Sequence, residues 1–287
     1  MLRRVFALNL LAAVVVASPA YAGKPSKYVF TSFDPPGSTY TRGNNLNNAG
    51  TIVGYFNNAS AEFHGYALSA GVFTQIDVPG TVKTIAEGIN DFGTIVGQCD
   101  APVVDQAHGF VLSGGTFTLF DVPGAMFTAG KAINLAGDIV GFYVDAGGMT
   151  HGYLLSGGQF TTIDYPNAPF TAAHGINDNG QIVGNFHDAA GNNRGFRLSG
   201  GQFSPVNYPK ATWTIPTRIN TTGQIVGYYQ AANGSVHGFL LSNGTYTTID
   251  YPNAVQTRVD GINDLGELVG QWVDAGGRAH GFYAVKQ

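Results

Sequence analysis

The sequence predicts an all-β fold, a six-bladed β-propeller of four-stranded antiparallel blades whose ring is closed by an N-terminal outer strand pairing with the C-terminal blade. Three observations predict it. A unit of about 43 residues recurs six times, marked by Asn47, Asn90, Asn134, Asn177, Asn220 and Asn263, each followed three residues later by glycine. Periods of this length belong to supersecondary units that stack to bury a shared core. Each unit divides into four short segments rich in Ile, Val, Phe, Tyr and Thr and bounded by Gly, Asn, Asp or Pro, the pattern of short strands and tight turns. The ends are also out of phase by one strand. Tyr28 to Asp34 matches the fourth segments, and His280 to Val285 matches the third. Pairing them removes two exposed sheet edges, whereas an open β-solenoid has no need of that phase.

Unit four serves as the template. Thr171 to Asn177 is expected as a first strand, Asp178-Asn179-Gly180 as a turn, and Gln181 to Phe186 as a second strand. A polar loop, His187 to Asn193, leads to a third strand at Gly195 to Leu198. Ser199-Gly200-Gly201 then turns into a fourth strand from Phe203 to Tyr208. The six glycines from Gly50 to Gly266 that follow the marker asparagines stand where a hairpin turn needs positive φ. Gly54, Gly97, Gly141, Gly184, Gly227 and Gly270 fall inside second strands, where glycine weakens a strand unless another group approaches closely.

Residues 1–22 read as an export signal: Arg3 and Arg4, an apolar run from Val5 to Ser18, and Ala20-Tyr21-Ala22 as the cleavage pattern. The expected organisation is therefore a signal peptide at 1–22 and a single domain at 23–287. The protein is expected to be secreted or periplasmic, monomeric, and not inserted in a membrane after cleavage. No later segment is long and apolar enough for a transmembrane helix. With 14 Lys and Arg against 18 Asp and Glu and no basic run, a nucleic-acid partner is not expected. The one cysteine, Cys99, cannot form an internal disulfide and reads as a buried passenger.

Positions repeated in every unit solve a problem that every unit shares. The marker asparagines are expected to hydrogen-bond the turns that follow them. Two or three oxygen ligands per Asn-Asp-x-Gly copy fall short of a calcium shell, which favours a structural role. His64, His108, His151, His237 and His280 recur one per unit, and Asp34, Asp77, Asp121, Asp164 and Asp250 recur beside prolines. Unit four changes both, to Arg194 and Asn207. That joint change predicts a His–Asp hydrogen bond, similar to the one in WD-repeat blades.

The Ile-Asn-Asp-x-Gly-x-Ile-Val-Gly run at Ile176 to Gly184 and the His-Gly-Phe at His237 to Phe239 resemble the bacterial extracellular repeats named for a His-Ala-Phe motif, across the whole mature chain. The middle position is glycine in all six units here. The resemblance implies an exported repeat protein and transfers no reaction or ligand.

Function in a repeat ring needs positions shared in place but different in identity. Asn44, Glu87, Lys131, His174, Thr217 and Asp260 stand three residues before the marker asparagines, all polar and no two alike. On an innermost strand they would ring a central channel. Arg42 and Arg258 lie two residues earlier in units one and six, and Arg218 adds a charge beside Thr217. Tyr40, Phe127, Phe170 and Trp213 share a further register and are expected to rim the mouth. Such a rim suits a sugar or another small polar, ring-bearing ligand. The same residues would also suit a water-filled channel and packing between blades.

These features predict a binding or interaction module whose ligand is a glycan or small polar molecule, or whose partner is a surface protein, with no cofactor. No Gly-x-Ser-x-Gly or His-Glu-x-x-His motif is present. The alternative is a metal-assisted hydrolase or lyase. In it Asn44, Glu87, His174 and Asp260 hold one divalent cation in the channel, and Lys131 or an arginine steadies an anionic intermediate.

Overall fold

The computed structural model describes residues 28–100 and 107–287; the expected export signal lies outside them. Among the described residues there are 24 strands and no helix. In unit one, Tyr40–Leu46, Ile52–Asn57, Phe63–Ser69 and Val72–Ile76 pair antiparallel in chain order. The same four-strand order recurs along the chain. The last sheet runs Gln256–Ile262, Leu268–Val273 and Ala279–Lys286, and its fourth strand is Tyr28–Phe33. Tyr28 lies opposite Lys286 and Phe33 opposite Gly281, the expected pairing of the two ends.

The template unit departs from expectation at two places. Its second and third strands extend to pair His187 with Asn193, because the loop between them closes with Asp188 N–H on the Asn192 carbonyl. The fourth strand, Gln202–Pro205, is shorter than expected. Pro205 has no N–H with which to continue the ladder.

Packing explains the second-strand glycines. Each lies directly opposite a third-strand aromatic: Gly54 with Tyr66, Gly97 with Phe110, Gly141 with Tyr153, Gly184 with Phe196, Gly227 with Phe239 and Gly270 with Phe282. All six rings are fully buried. A Cβ on any of these glycines would run into a first-strand carbonyl, as on Gly54 against Arg42 and on Gly184 against Ala172. Where the aromatic is tyrosine, its hydroxyl donates to that carbonyl, Tyr66 to Arg42 at 3.1 Å and Tyr153 to Ala129 at 3.0 Å. Burying one such ring contributes on the order of 2–3 kcal/mol.

No sheet has a core of its own. Val140 packs with Ala173, Ile176 and Ile182 of the next unit, and Val226 with Val259 and Phe282. Val269 of the last unit joins Leu46, Ile52 and Tyr66 of the first. Cys99 is buried as expected, and burial, with the charges of Asp100 and Asp121, pushes its thiol up to about 11.

The marker asparagines do two things. Their Oδ1 atoms accept the N–H four residues on, as in Thr51 to Asn47 at 3.0 Å and Gln181 to Asn177 at 3.0 Å, which holds the turn as expected. Their Nδ2 atoms also donate to the backbone carbonyl of the next marker: Asn47 to Asn90, Asn90 to Asn134, Asn134 to Asn177, Asn177 to Asn220 and Asn220 to Asn263. Asn263 then donates to the Asn47 carbonyl at 3.2 Å. The glycines after them have φ from 71° to 87°.

The predicted His–Asp bonds are present. Nδ1 of His64, His108, His151, His237 and His280 meets Asp77, Asp121, Asp164, Asp250 and Asp34. In unit four, Arg194 turns to Asp188 at 2.8 Å, and Asn207 accepts the Gly195 N–H at 3.0 Å. His151 also presents Nε2 to Asp145 at 3.4 Å. Burial works to lower its pKa, but hydrogen bonds and charge from Asp164 and Asp145 outweigh it and leave the imidazole raised.

Two outcomes follow from these contacts. Asn177→Ala, which removes a turn bond and a bond between units, is expected to lower stability in urea by about 2 kcal/mol; an unchanged midpoint would show that neither bond contributes. A raised histidine pKa contributes stability that is fully present below about pH 6.5 and lost as pH rises through the raised value. His151→Gln is therefore expected to cost about 1 kcal/mol at pH 5.5 and less at pH 8, and a cost independent of pH would contradict the assignment.

Candidate functional site

Six residues singled out by their variability share a backbone feature. The pairing of each first strand skips one residue, and the skipped residues are Asn44, Glu87, Lys131, His174, Thr217 and Asp260. A bulge of this kind leaves one residue unpaired and re-aims its side chain. Four of the six are nearly closed off from solvent: Asn44 at 3% exposure, Glu87 at 7%, Thr217 at 6% and Asp260 at 3%.

Their side chains are joined mostly across neighbouring units. Lys131 Nζ donates to Glu87 Oε1 at 2.5 Å, and Arg42 grips Asp260 through two bonds of 3.1 and 2.5 Å. Asn44 donates to the Ala86 carbonyl at 2.8 Å and Thr217 to the Val259 carbonyl at 3.0 Å. His174 Nε2 meets Asn185 Oδ1 at 2.6 Å within its own unit, while Asn185 donates onward to Asn193. That chain sets Nε2 of His174 as the protonated nitrogen. Burial and then the Lys131 charge push the His174 pKa down to about 3, so the imidazole is neutral at physiological pH. Burial likewise lowers the Lys131 pKa, with Glu87 opposing it.

Asn44, Glu87, His174 and Asp260 therefore do not converge as one ligand set. Each carboxylate faces a cation and His174 faces an amide. Among the described residues no three His, Cys, Asp or Glu side chains stand close enough to hold a metal ion.

The bulges of four units are bridged by a residue that the sequence marked only as an added charge. Arg218 Nη1 donates to the carbonyls of His174 (2.6 Å) and Thr217 (2.8 Å), and Nη2 to those of Glu87 (2.5 Å) and Lys131 (2.9 Å). One guanidinium thus binds the backbone of units two to five. It is 5% exposed, and burial lowers its pKa to about 10, which leaves it charged at neutral pH.

A signal for this arrangement was present in the sequence. The residues after the bulge are Asn45, Gly88, Ala132, Gly175, Arg218 and Gly261, with glycine in alternate units. A Cβ on those glycines would meet the neighbouring backbone, as on Gly88 against Ala132 Cα at 2.9 Å. The layer admits three side chains, and small Ala132 and compact Asn45 leave space for Arg218. On its turn side lies a polar recess of about 70 Å³ where Asp91, Asp178 and Asp264, again in alternate units, accept N–H groups from Asn48, Leu135 and Thr221.

The expected rim aromatics are half-buried, and each packs on a second-strand side chain of its own unit. Tyr40 stacks on Tyr55 at 5.5 Å, Phe127 on Phe142 at 5.4 Å and Phe170 on His187 at 4.3 Å, while Trp213 meets Tyr228 edge-on at 5.8 Å. Arg258 lies 4.9 Å over the Tyr228 ring. The second-strand register was not singled out from the sequence. It alternates aromatic with amide: Tyr55, Gln98, Phe142, Asn185, Tyr228, Gln271. Gln271 accepts the Tyr40 hydroxyl at 3.3 Å. Gln98 is 9% exposed, and its amide has no hydrogen-bond partner among the described residues.

By sequence, no family model and no curated protein matches the chain, so the His-Ala-Phe resemblance rests on its motif residues. By structure, the chain is similar to a fucose-recognising lectin from Aleuria aurantia described as a six-bladed β-propeller, at TM-score 0.52 and 11% identity, covering 86% of this chain and 93% of that one. It is similar to a putative TolB from Agrobacterium tumefaciens at TM-score 0.59 and 14% identity, covering 87% and 91%. A gluconolactonase from Xanthomonas campestris gives TM-score 0.53 and 12% identity, covering 96% and 100%. These are likenesses of fold: the chain shares the β-propeller fold with proteins of unlike function.

Proposed function

We propose that the chain is an exported, closed six-bladed propeller that binds a glycan or another small polar, ring-bearing molecule at one mouth of its central channel. Closure is supported by the pairing of the terminal strands and by the marker-asparagine bonds, which run through six units and return to the first. The repeat's likeness to exported His-Ala-Phe repeats and the leader pattern at 1–22 support export. The observation that carries the binding reading is the alternating register of aromatic rings and amides around the second strands. Within it the Gln98 amide makes no hydrogen bond among the described residues and still reaches solvent, so its donor and acceptor are free for a ligand. Half-buried Trp213 and Tyr40 beside that register offer apolar faces to the C–H side of a sugar ring. Glycan recognition also occurs on this fold in the Aleuria aurantia lectin.

The ion pairs of the ring fit this reading. Glu87 and Asp260 are already neutralised by Lys131 and Arg42, so neither carboxylate is left as a free anion, and Arg218 adds a positive charge among hydrogen-bonding groups. The test is a glycan array on the mature protein, followed by titration of the best ligand into Trp213→Ala and Gln98→Ala variants. Each substitution is expected to weaken binding about tenfold while the protein stays folded. No glycan bound, or affinities unchanged in both variants, would overturn the assignment.

A further inference from the structure

Departures from the repeat gather in unit four. Arg194 stands where the other units carry histidine, and Asn207 where they carry aspartate. A third change is Arg197 on the third strand. The other units have Ala67, Val111, Leu154, Leu240 and Tyr283 there, all apolar or aromatic. An arginine in that register places a charge among inter-unit packing positions. Among the described residues it has no counter-ion.

Arg197 faces a groove of about 590 Å³ between units four and five. Its guanidinium has no hydrogen-bond acceptor or carboxylate partner among the described residues, and its Nε is closed off from solvent without an acceptor. Around it the groove carries Asn179, Gln181, Ser204, Thr222 and Asn243. Gln181 uses its Oε1 to accept from Asn177 at 3.0 Å, and its Nε2 has no acceptor. Asn243, at φ 48°, has no side-chain partner either. Pro205 and Leu241 supply its accessible apolar surface, over the fully buried Ile225. The equivalent groove between the last unit and the first is smaller, about 260 Å³, and is lined by Phe33, Leu68, Phe73 and Tyr283. There the residue in the Arg197 register, Tyr283, is satisfied by donating to Glu267.

We propose that the groove between units four and five is a second ligand site, separate from the channel mouth, that binds a carboxylate-bearing sugar. A guanidinium presents paired N–H donors that match a carboxylate in a two-bond fork. The unpaired donors of Gln181 and Asn243 are suited to ring hydroxyls, and Pro205 and Leu241 to the apolar face of a pyranose. The volume falls in the range of small-molecule sites. A bare inorganic anion would use Arg197 and leave the apolar surface and the two amides without a role.

Calorimetric titration of the mature protein with D-glucuronate, D-glucose and inorganic sulfate tests this. Glucuronate is expected to bind at least about tenfold more tightly than either of the others. Arg197→Leu installs the residue that units three and five carry at this register, so the variant is expected to keep its melting temperature and lose at least about tenfold in glucuronate affinity. Arg197→Lys, which keeps the charge but not the fork, is expected to fall between the two. The proposal is overturned if glucose or sulfate binds as tightly as glucuronate, if no glucuronate binding is measurable, or if Arg197→Leu binds glucuronate like the wild type.

Discussion

The side-chain amide of the marker asparagine is the contact on which the rest of the structure depends. One side of it closes the turn within a unit, and the other reaches the backbone of the next. No unit buries a core alone, since each cluster of buried residues draws on two neighbours. The angle between neighbours must therefore be set by something that repeats as regularly as the sheets do. Asparagine suits this because its amide carries an acceptor and a donor a fixed distance apart. Aspartate would lose the donor, and glutamine would lengthen the arm.

Packing outward from that contact leaves little freedom. The second-strand glycines let the first-strand carbonyls sit over the fully buried third-strand rings, so three of the four strands interlock in one layer. The first strand accommodates this with a bulge, and the bulge residue lies outside the ladder pairing, so each unit can change it freely. Structural uniformity and chemical variety thus come from neighbouring positions on one strand. The His–Asp bonds and the recurring threonines, which accept an N–H from the turn before the first strand, secure the outer connection in the same repeated way.

On the first two strands of each unit and the turn between them, the sixfold sequence repeat gives way to a period of two units. Glycine alternates with Asn45, Ala132 and Arg218, amide with aromatic on the second strands, and aspartate with Asn48, Leu135 and Thr221 at the turns. Crowding explains the first alternation: six Cβ atoms cannot fit where neighbouring backbones come this close. Arg218 then crosses the resulting space and satisfies carbonyls from four units, which ties their first strands together through one positive charge.

Much of this was legible in the sequence. The strand order, the pairing of the termini, the turn asparagines, the His–Asp bonds and the close approach at Gly54 and its counterparts all follow from local chemistry repeated six times, because a pattern that recurs at fixed spacing reports a contact that recurs too. The variable ring was also legible, as positions common in place and different in identity. Only the tertiary structure decided what those residues do with one another. The pairing of Glu87 with Lys131 and of Arg42 with Asp260 and the role of Arg218 depend on groups meeting across units. Such partners lie tens to hundreds of residues apart, or are backbone carbonyls without identity in the sequence, so no spacing rule along a single chain reveals them.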